Sequence, residues 1–185
     1  MNEVILVGGG VRSGKSAFAL GLARRLGARR AFVATAQAFD REMEERIAAH
    51  RAERACGFTT IEEPLDLPRA FAAAAEGGAE VVVVDCLTLW LSNLVLRGDS
   101  AAQAAAEVER LAQELARRRL HAVVVTNEVG MGVVPEHALG RLFRDVAGRA
   151  HQRLARDADR IYLAALGCVL RLRPNPVTLA NPEEP

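Results

Sequence analysis

Residues 9–16 combine glycines, a lysine and a hydroxyl at the spacing of a loop that binds phosphate groups. In order they are Gly9, Gly10, Val11, Arg12, Ser13, Gly14, Lys15 and Ser16. They follow an apolar run and open a segment of helical period, as this motif requires. Glycines let backbone N–H groups approach phosphate oxygens, and the helix N-terminus adds partial positive charge. We predict that Lys15 contacts the outer phosphates of a nucleotide as a catalytic residue, and that Ser16 ligates Mg²⁺.

Asp85 is the second candidate metal ligand. It ends the apolar run Val81–Val84, which has the composition of a buried strand. Proteins with such a phosphate loop hold Mg²⁺ with a carboxylate at the end of a buried strand. An aspartate in this place could instead cap the following helix. Because Asp85 occurs together with the phosphate loop, we interpret it as a metal ligand.

A charged segment, Asp40–Arg54, carries a histidine that could take part in phosphorus chemistry. Its first half is acidic and its second half is rich in arginine, which suits a helix dipole. Arg46, His50 and Arg54 are spaced by four residues and share one face of the predicted helix. A neutral imidazole can attack phosphorus and form a covalent phosphoramidate. Taken alone, however, the residues favour a solvated amphipathic helix whose histidine has no catalytic role.

The elements that must position these residues alternate between apolar runs and segments of helical period. That pattern predicts an α/β, P-loop NTPase-like three-layer fold with a mostly parallel sheet. The uninterrupted valines at Val81–Val84 and Val123–Val125 predict central strands covered on both faces. The predicted strands are Glu3–Val7, Ala31–Thr35, Phe58–Ile61, Val81–Asp85, Ala122–Thr126, Arg160–Ala165 and Val169–Leu172. We expect the last two to form an antiparallel hairpin.

Helices are predicted between the strands. The first starts in the phosphate loop and ends near Gly27. The others are Arg41–Arg54, Leu67–Glu76, Cys86–Leu96, Ala101–Arg119 and Glu136–Arg156. Without an interior linker, residues 1–173 are interpreted as a single catalytic domain, and the proline-rich residues 174–185 as a tail.

The composition excludes several classes of partner. The chain has 185 residues, 24 of them basic and 23 acidic, so its net charge of +1 gives no electrostatic surface for nucleic acid. The longest apolar stretch, about Ile161–Leu170, is too short for membrane insertion, and the N-terminus lacks the basic region of a signal peptide. Three widely spaced cysteines without a CxxC pair predict reduced thiols. We therefore expect a cytoplasmic enzyme.

Seven blocks of the sequence, in order, resemble the bifunctional adenosylcobinamide kinase / adenosylcobinamide-phosphate guanylyltransferase family of cobalamin biosynthesis. The resemblance covers about residues 3–172. The blocks are Gly9–Ser16, Ala34–Ala36, Asp40–Arg54, Glu62–Pro64, Asp85–Leu91, Thr126–Pro135 and Phe143–Arg149. It implies that GTP or ATP phosphorylates the aminopropanol hydroxyl of adenosylcobinamide. It also implies that GTP then donates GMP to adenosylcobinamide phosphate, giving adenosylcobinamide-GDP and pyrophosphate.

The resemblance also implies roles for individual residues. His50 stands where the family has the nucleophile that carries GMP, which reverses the interpretation drawn from the residues alone. Glu62 could accept the N1–H and N2–H groups of guanine, although an exposed acidic residue opening a loop is the alternative. The nucleotide contacts implied beyond the phosphate loop are Ala34, Thr35, Ala36, Arg51, Ala52, Glu53, Arg54, Glu62 and Asp85.

Further expectations concern assembly and the residues without a role. Relatives are homotrimers, so the resemblance implies a homotrimer, and Trp90 is placed among the apolar side chains at its seams. His151 stands where relatives often have Asn, and we interpret it as a surface polar residue. Asn127 and Glu128 end a central strand where open α/β sheets bind ligands, so we expect them to line the site.

Two alternatives remain open to the sequence. The first is a P-loop kinase of a small metabolite that lacks nucleotidyl transfer. The second is a nucleotide-dependent switch, which would bind GTP without turnover. Formation of a corrinoid-GDP product distinguishes the bifunctional enzyme from both.

Overall fold

The strands of the protein form one mixed sheet. The computed structural model describes residues 2–37, 41, 45, 48 and 57–174. Within them the strands are β1 (Val4–Gly9), β2 (Arg30–Ala34), β3 (Thr59–Glu62), β4 (Val81–Asp85), β5 (His121–Asn127), β6 (Arg160–Ala165) and β7 (Cys168–Arg173). Their order is β3-β2-β4-β5-β1-β6-β7. All neighbours are parallel except β6 and β7, which are antiparallel.

Helices cover both faces of this sheet. Those described over their whole length are α1 (Lys15–Leu26), α2 (Leu67–Glu76), α3 (Leu87–Arg97), α4 (Ala101–Ala116) and α5 (Ala138–Asp157). One apolar core joins α1 to side chains of β1, β2, β4 and β5. The other core joins the opposite face of the same strands to α2, α3, α4 and α5. Successive strand side chains point to opposite faces, so valine runs such as the one in β4 supply both cores.

The structure confirms the predicted fold class. β4 and β5 are central and buried, and β6 and β7 form the expected hairpin. Helix α4 is shorter than predicted, because Arg118 has a left-handed backbone, φ 53°, that a continuing helix cannot accommodate. The helix α5 begins later than predicted, because His137 has an extended backbone, φ −86° and ψ 140°.

Trp90 lies in the interior of the protein. Its side chain is 0% exposed, and its indole Nε1 donates a hydrogen bond to the carbonyl oxygen of Leu65 at 2.8 Å. The prediction that placed Trp90 at a subunit seam is therefore wrong, since the indole has no surface to offer a neighbour. Helix α3 is buried on most sides. The prediction failed because an apolar helix face has the same sequence pattern whether it packs in the core or against another subunit.

None of the described helices combines the length and the hydrophobicity that crossing a bilayer requires. The described chain is instead held together by the two cores. The parallel strands are buried on both faces, and they contribute many of the buried apolar residues.

We predict that Trp90→Phe lowers the free energy of unfolding by about 1–3 kcal/mol, because the Leu65 carbonyl loses its donor in a water-poor environment. Urea titration followed by circular dichroism measures the change. Leu96→Ala, which shortens an exposed side chain of the same helix, is the control. An unchanged midpoint for Trp90→Phe would show that this hydrogen bond does not support the fold.

Candidate active site

The phosphate loop, residues 9–16, connects the carboxyl end of β1 to α1. A Cβ at Gly9 would lie 2.4 Å from the carbonyl oxygen of Ala164 in β6, so only glycine lets these strands approach at this point. Arg12 and Gly14 adopt left-handed backbones, with φ of 55° and 90°. These conformations let the chain turn from β1 into α1 within a few residues.

No side chain of the described residues caps the first turn of α1. Its N-cap, Gly14, has no side chain to cap the helix, and no acidic residue occurs in the first turn. N–H groups at such a terminus are available to an anion, and the helix dipole favours negative charge there. The buried Lys15 points across the loop, where its Nζ donates to the carbonyl oxygen of Gly10 at 3.0 Å. The loop therefore has the geometry of a phosphate-binding site.

Two buried polar atoms beside Gly9 have no hydrogen-bond partner among the described residues. They are Ser13 Oγ and Asn127 Oδ1. Asn127 pairs with Gly9 in the register of β5 and β1, and Ser13 Oγ lies 2.8 Å from where a Cβ of Gly9 would be. Buried polar atoms are nearly always paired. Their position indicates that a polar ligand completes this edge of the sheet.

Ser16 and Asp85 fit a nucleotide-bound Mg²⁺. Ser16 is in the first turn of α1, and Asp85 ends β4. Within the described residues, no cluster of three or more His, Cys, Asp or Glu could hold a metal ion on its own. Mg²⁺ does not need one, since it takes one or two oxygen ligands from the protein and others from phosphates and water. These two oxygen donors match that requirement.

Cys86 shows that the two halves of the predicted site lie close together. Burial and, second, the neighbouring Asp85 carboxylate raise the pKa of its thiol to about 11, while the positive charge of Lys15 acts in the opposite direction. Lys15 and Asp85 thus both lie within electrostatic reach of one side chain. With so high a pKa, Cys86 is a neutral thiol near pH 7.

The carboxyl ends of β2 and β4 are joined by buried hydrogen bonds. Thr35 Oγ1 donates to the Cys86 carbonyl at 2.8 Å and accepts from the Cys86 N–H at 2.9 Å. Asn93 Nδ2 in α3 donates to the Thr35 carbonyl at 2.8 Å. The Thr35 hydroxyl is therefore engaged within the protein. The nucleotide contact predicted at Ala34, Thr35 and Ala36 stays a prediction.

A second set of buried hydroxyls supports the end of β5. Thr88 Oγ1 in α3 accepts from the Asn127 N–H at 2.6 Å and lies 3.1 Å from Thr126 Oγ1. Thr126 Oγ1 is in turn 2.6 Å from Nε2 of His151 in α5. Both contacts are satisfied when the Thr88 hydroxyl donates to Thr126 Oγ1 and the Thr126 hydroxyl donates to His151 Nε2. The sequence analysis gave no role to Asn93 or Thr88, although Thr88 lies in the block Asp85–Leu91, because their hydrogen-bond partners are distant in sequence.

His151 is not the surface residue predicted from the sequence. Its side chain is only 15% exposed, and its Nδ1 lies 3.9 Å from Glu128 Oε2. Burial lowers the pKa of His151 below its usual 6.5, and the Glu128 carboxylate partly opposes this effect. The prediction failed because an isolated histidine in a charged helix does not reveal that it faces a threonine hydroxyl.

Glu62 ends the edge strand β3, opposite Ala34 of β2 in register. Strand order places β3 four positions from β1. At about 4.8 Å per position, this puts Glu62 about 19 Å from the phosphate loop along the carboxyl edge of the sheet. Such a separation suits contacts to opposite ends of one nucleotide, and the role of Glu62 with guanine stays a prediction.

Part of the predicted site lies outside the described residues. This applies to His50, and to Arg46, Arg51, Ala52, Glu53 and Arg54. Of the predicted helix 41–54, residues 41, 45 and 48 are described, and all three are helical. Arg41 Nε and Glu45 Oε1 form an exposed ion pair at 3.2 Å, as expected one helical turn apart.

Comparison with known proteins identifies near full-length relatives. Residues 5–172 match the family described as cobinamide kinase / cobinamide phosphate guanyltransferase. The chain is 42% identical to the bifunctional adenosylcobalamin biosynthesis protein CobP of Pseudomonas aeruginosa, over 96% of this chain and 100% of the relative. It is 37% identical to the bifunctional adenosylcobalamin biosynthesis protein CobU of Escherichia coli, over 92% of this chain and 99% of the relative.

A solved structure supports the fold alone. The RadB recombinase superposes with a TM-score of 0.50 at 19% sequence identity, over 87% of this chain and 73% of that protein. At this identity the likeness concerns the arrangement of strands and helices and carries no information on activity.

We predict that His151 makes stability depend on pH below about 6.5. The pKa of His151 is lower in the folded than in the unfolded state. Its contribution to the free energy of unfolding is therefore complete above the unfolded-state pKa, and it is lost as the pH falls from there toward the folded-state pKa. Urea midpoints between pH 5 and 7.5 should fall more steeply for the wild type than for His151→Asn. His137→Asn, at an exposed position, is the control; equal slopes for wild type and His151→Asn would contradict the prediction.

Proposed function

We propose that this chain, which belongs to the cobinamide kinase / cobinamide phosphate guanyltransferase family, catalyses two successive reactions on adenosylcobinamide. In the first, GTP or ATP phosphorylates the aminopropanol hydroxyl. In the second, GTP transfers GMP to adenosylcobinamide phosphate, which gives adenosylcobinamide-GDP and releases pyrophosphate. The match to this family over residues 5–172 supports the general function, that of a bifunctional enzyme of cobalamin biosynthesis.

The observation that carries the proposal is the phosphate loop. Its left-handed turns, the uncapped start of α1 and the inward-pointing Lys15 suit a nucleoside triphosphate. In the proposed complex, backbone N–H groups bind the phosphates and Lys15 neutralises charge on the transferred group. Mg²⁺ bound between the phosphates, Ser16 and Asp85 would supply additional positive charge.

His50 is proposed as the nucleophile of the second reaction. Its imidazole attacks the α-phosphorus of GTP, and the bond to the bridging oxygen breaks, so that pyrophosphate leaves. The phosphate of adenosylcobinamide phosphate then displaces GMP from His50. Arg46 and Arg54, expected on the same helix face, would stabilise charge on the transferring group. Support for this assignment comes from the family and from the position of His50 in the matching block.

The remaining nucleotide contacts and the assembly are part of the same proposal. Glu62 would select guanine, and the segment Arg51–Arg54 would lie near the bound guanosine. Ala34, Thr35 and Ala36 would lie beside the phosphates. A homotrimer in the cytoplasm is proposed by resemblance to the family.

Enzyme incubated with GTP labelled at the α-phosphate should acquire acid-labile, alkali-stable label. In His50→Ala we expect this label to be lost and corrinoid-GDP formation to stop, because the imidazole that carries GMP is missing. Phosphorylation of adenosylcobinamide by ATP should survive better. Undiminished labelling of His50→Ala would remove His50 from the role.

Lys15→Ala should lower the rate of the kinase reaction by about 10²–10³-fold, because it removes a preorganised charge at the transferred phosphate. Guanylyl transfer should fall as well if both reactions use the same phosphate loop. Product formation is followed by thin-layer chromatography with ATP and GTP separately. Arg25→Ala, which removes an exposed cation from the last turn of α1, is the matched control. Wild-type kinase rates in Lys15→Ala would contradict the proposed loop function.

A further inference from the structure

A group of exposed apolar side chains lies next to the phosphate loop, in the segment of residues 128–137 that we call the β5–α5 loop. Val133 is 94% exposed, Met131 79% and Val134 58%. β5 runs parallel to β1, so its following loop emerges at the same carboxyl edge of the sheet as the phosphate loop. Large apolar side chains exposed together often mark a binding surface.

The β5–α5 loop is anchored at both ends. At its start, the Glu128 N–H donates to the carbonyl oxygen of Gly9 at 3.0 Å, which ties the loop to the first residue of the phosphate loop. At its end, Arg141 Nη1 donates to the carbonyl oxygens of Pro135 at 3.0 Å and Glu136 at 2.6 Å. The exposed side chains are therefore presented by backbone held at defined positions.

Glu128 places a carboxylate at the base of this surface. Its Oε1 accepts from the Gly130 N–H at 2.5 Å, and its Oε2 lies 3.9 Å from the half-buried His151 imidazole. The side chain is 32% exposed, so it remains accessible from solvent. The hydroxyls of Thr88 and Thr126 hold both His151 and the end of β5. The carboxylate is thus positioned by its neighbours and lies one residue beyond the strand that flanks Gly9.

We propose that the β5–α5 loop binds the corrinoid acceptor and that Glu128 is the general base of the kinase reaction. This inference rests on the proposed function, which requires a large acceptor with apolar surface and an alcohol on a side arm. Val133, Met131 and Val134 would contact the apolar surface of the acceptor, while its arm reaches across Glu128 toward the phosphate loop.

The proton balance explains why a base is needed in one reaction only. In the kinase reaction, the acceptor O–H proton passes to a Glu128 carboxylate oxygen while the alcohol oxygen bonds to the γ-phosphorus. The bond from that phosphorus to the β–γ bridging oxygen breaks, and the nucleoside diphosphate leaves with the electron pair. In guanylyl transfer the attacking oxygen belongs to an ionised phosphate and carries no proton that must be removed.

A second copy of the chain is the other possible occupant of this surface. The position of the loop beside the phosphate loop favours the acceptor. Its first residue donates a hydrogen bond to Gly9, where phosphate transfer is proposed. Its innermost side chain is a carboxylate, which suits an alcohol better than an apolar subunit contact.

The first test compares the two reactions in Glu128→Gln, which keeps an oxygen acceptor for the Gly130 N–H. With ATP and adenosylcobinamide we expect kcat to fall by about 10²–10⁴-fold, the range of general base catalysis. With GTP and adenosylcobinamide phosphate supplied directly, kcat should fall less than threefold, roughly the error of such a comparison. The second reaction serves as the folding control, since a disrupted loop would slow both. Equal loss in both reactions, or a wild-type kinase rate, overturns the role of Glu128.

The second test concerns the apolar surface. The double variant Met131→Ser with Val133→Ser should raise KM for the acceptor about tenfold in both reactions, as expected from lost burial of apolar side chains. Nucleotide Kd should not change. Leu96→Ser, an exposed apolar position at the far end of α3, is the matched control. An altered oligomeric state in analytical ultracentrifugation with unchanged KM would assign the surface to a second copy and overturn the proposal.

These outcomes separate the inference from the function on which it rests. If the wild type forms neither adenosylcobinamide phosphate nor adenosylcobinamide-GDP, the proposed function fails. If the wild type forms both and the variants behave like it, the function stands and the acceptor site is wrong.

Discussion

The close approach of three strands at Gly9 is the constraint on which the candidate site depends. β1 lies between β5 and β6, and any side chain at Gly9 would collide with the Ala164 carbonyl. Because Gly9 has none, the Ser13 hydroxyl can fold over it and the chain can turn at once into α1. The same residue accepts the hydrogen bond of Glu128, so the phosphate loop and the β5–α5 loop are fixed by one backbone position.

Buried hydroxyl groups hold the carboxyl edge of the sheet together. Parallel strands end with backbone groups that no neighbouring strand can pair, and each unpaired buried group is costly. Thr35 pairs the end of β2 with Cys86 after β4, while Thr88 and Thr126 connect the end of β5 to α3 and to His151 in α5. These bonds fix the relative positions of the strand ends. Within the described part of the chain, the buried side-chain atoms without a hydrogen-bond partner are Ser13 Oγ, in the phosphate loop, and Asn127 Oδ1 on the strand beside it.

Much of the fold follows from local pattern, and the site only in part. The valine runs predicted β4 and β5 because an uninterrupted apolar strand must be covered on both faces, and Leu67–Glu76 was predicted to the residue because Pro68 and Gly77 mark its ends. Helix ends governed by a single backbone angle, as at Arg118, were missed. Trp90 and His151 were also misplaced, because the surroundings of both side chains are set by residues distant in sequence.

The sequence by itself determined the phosphate loop and the α/β order of elements, since each depends on neighbouring residues or on a short period. For the same reason it predicted that the Asp85 carboxylate binds the metal. Only the tertiary structure decided that Asn127 pairs with Gly9, that His151 faces Thr126 and that Glu128 begins an anchored apolar loop. Those contacts join residues 25 to more than 100 positions apart. They arise from the order in which the strands assemble, and a linear pattern contains no record of that order.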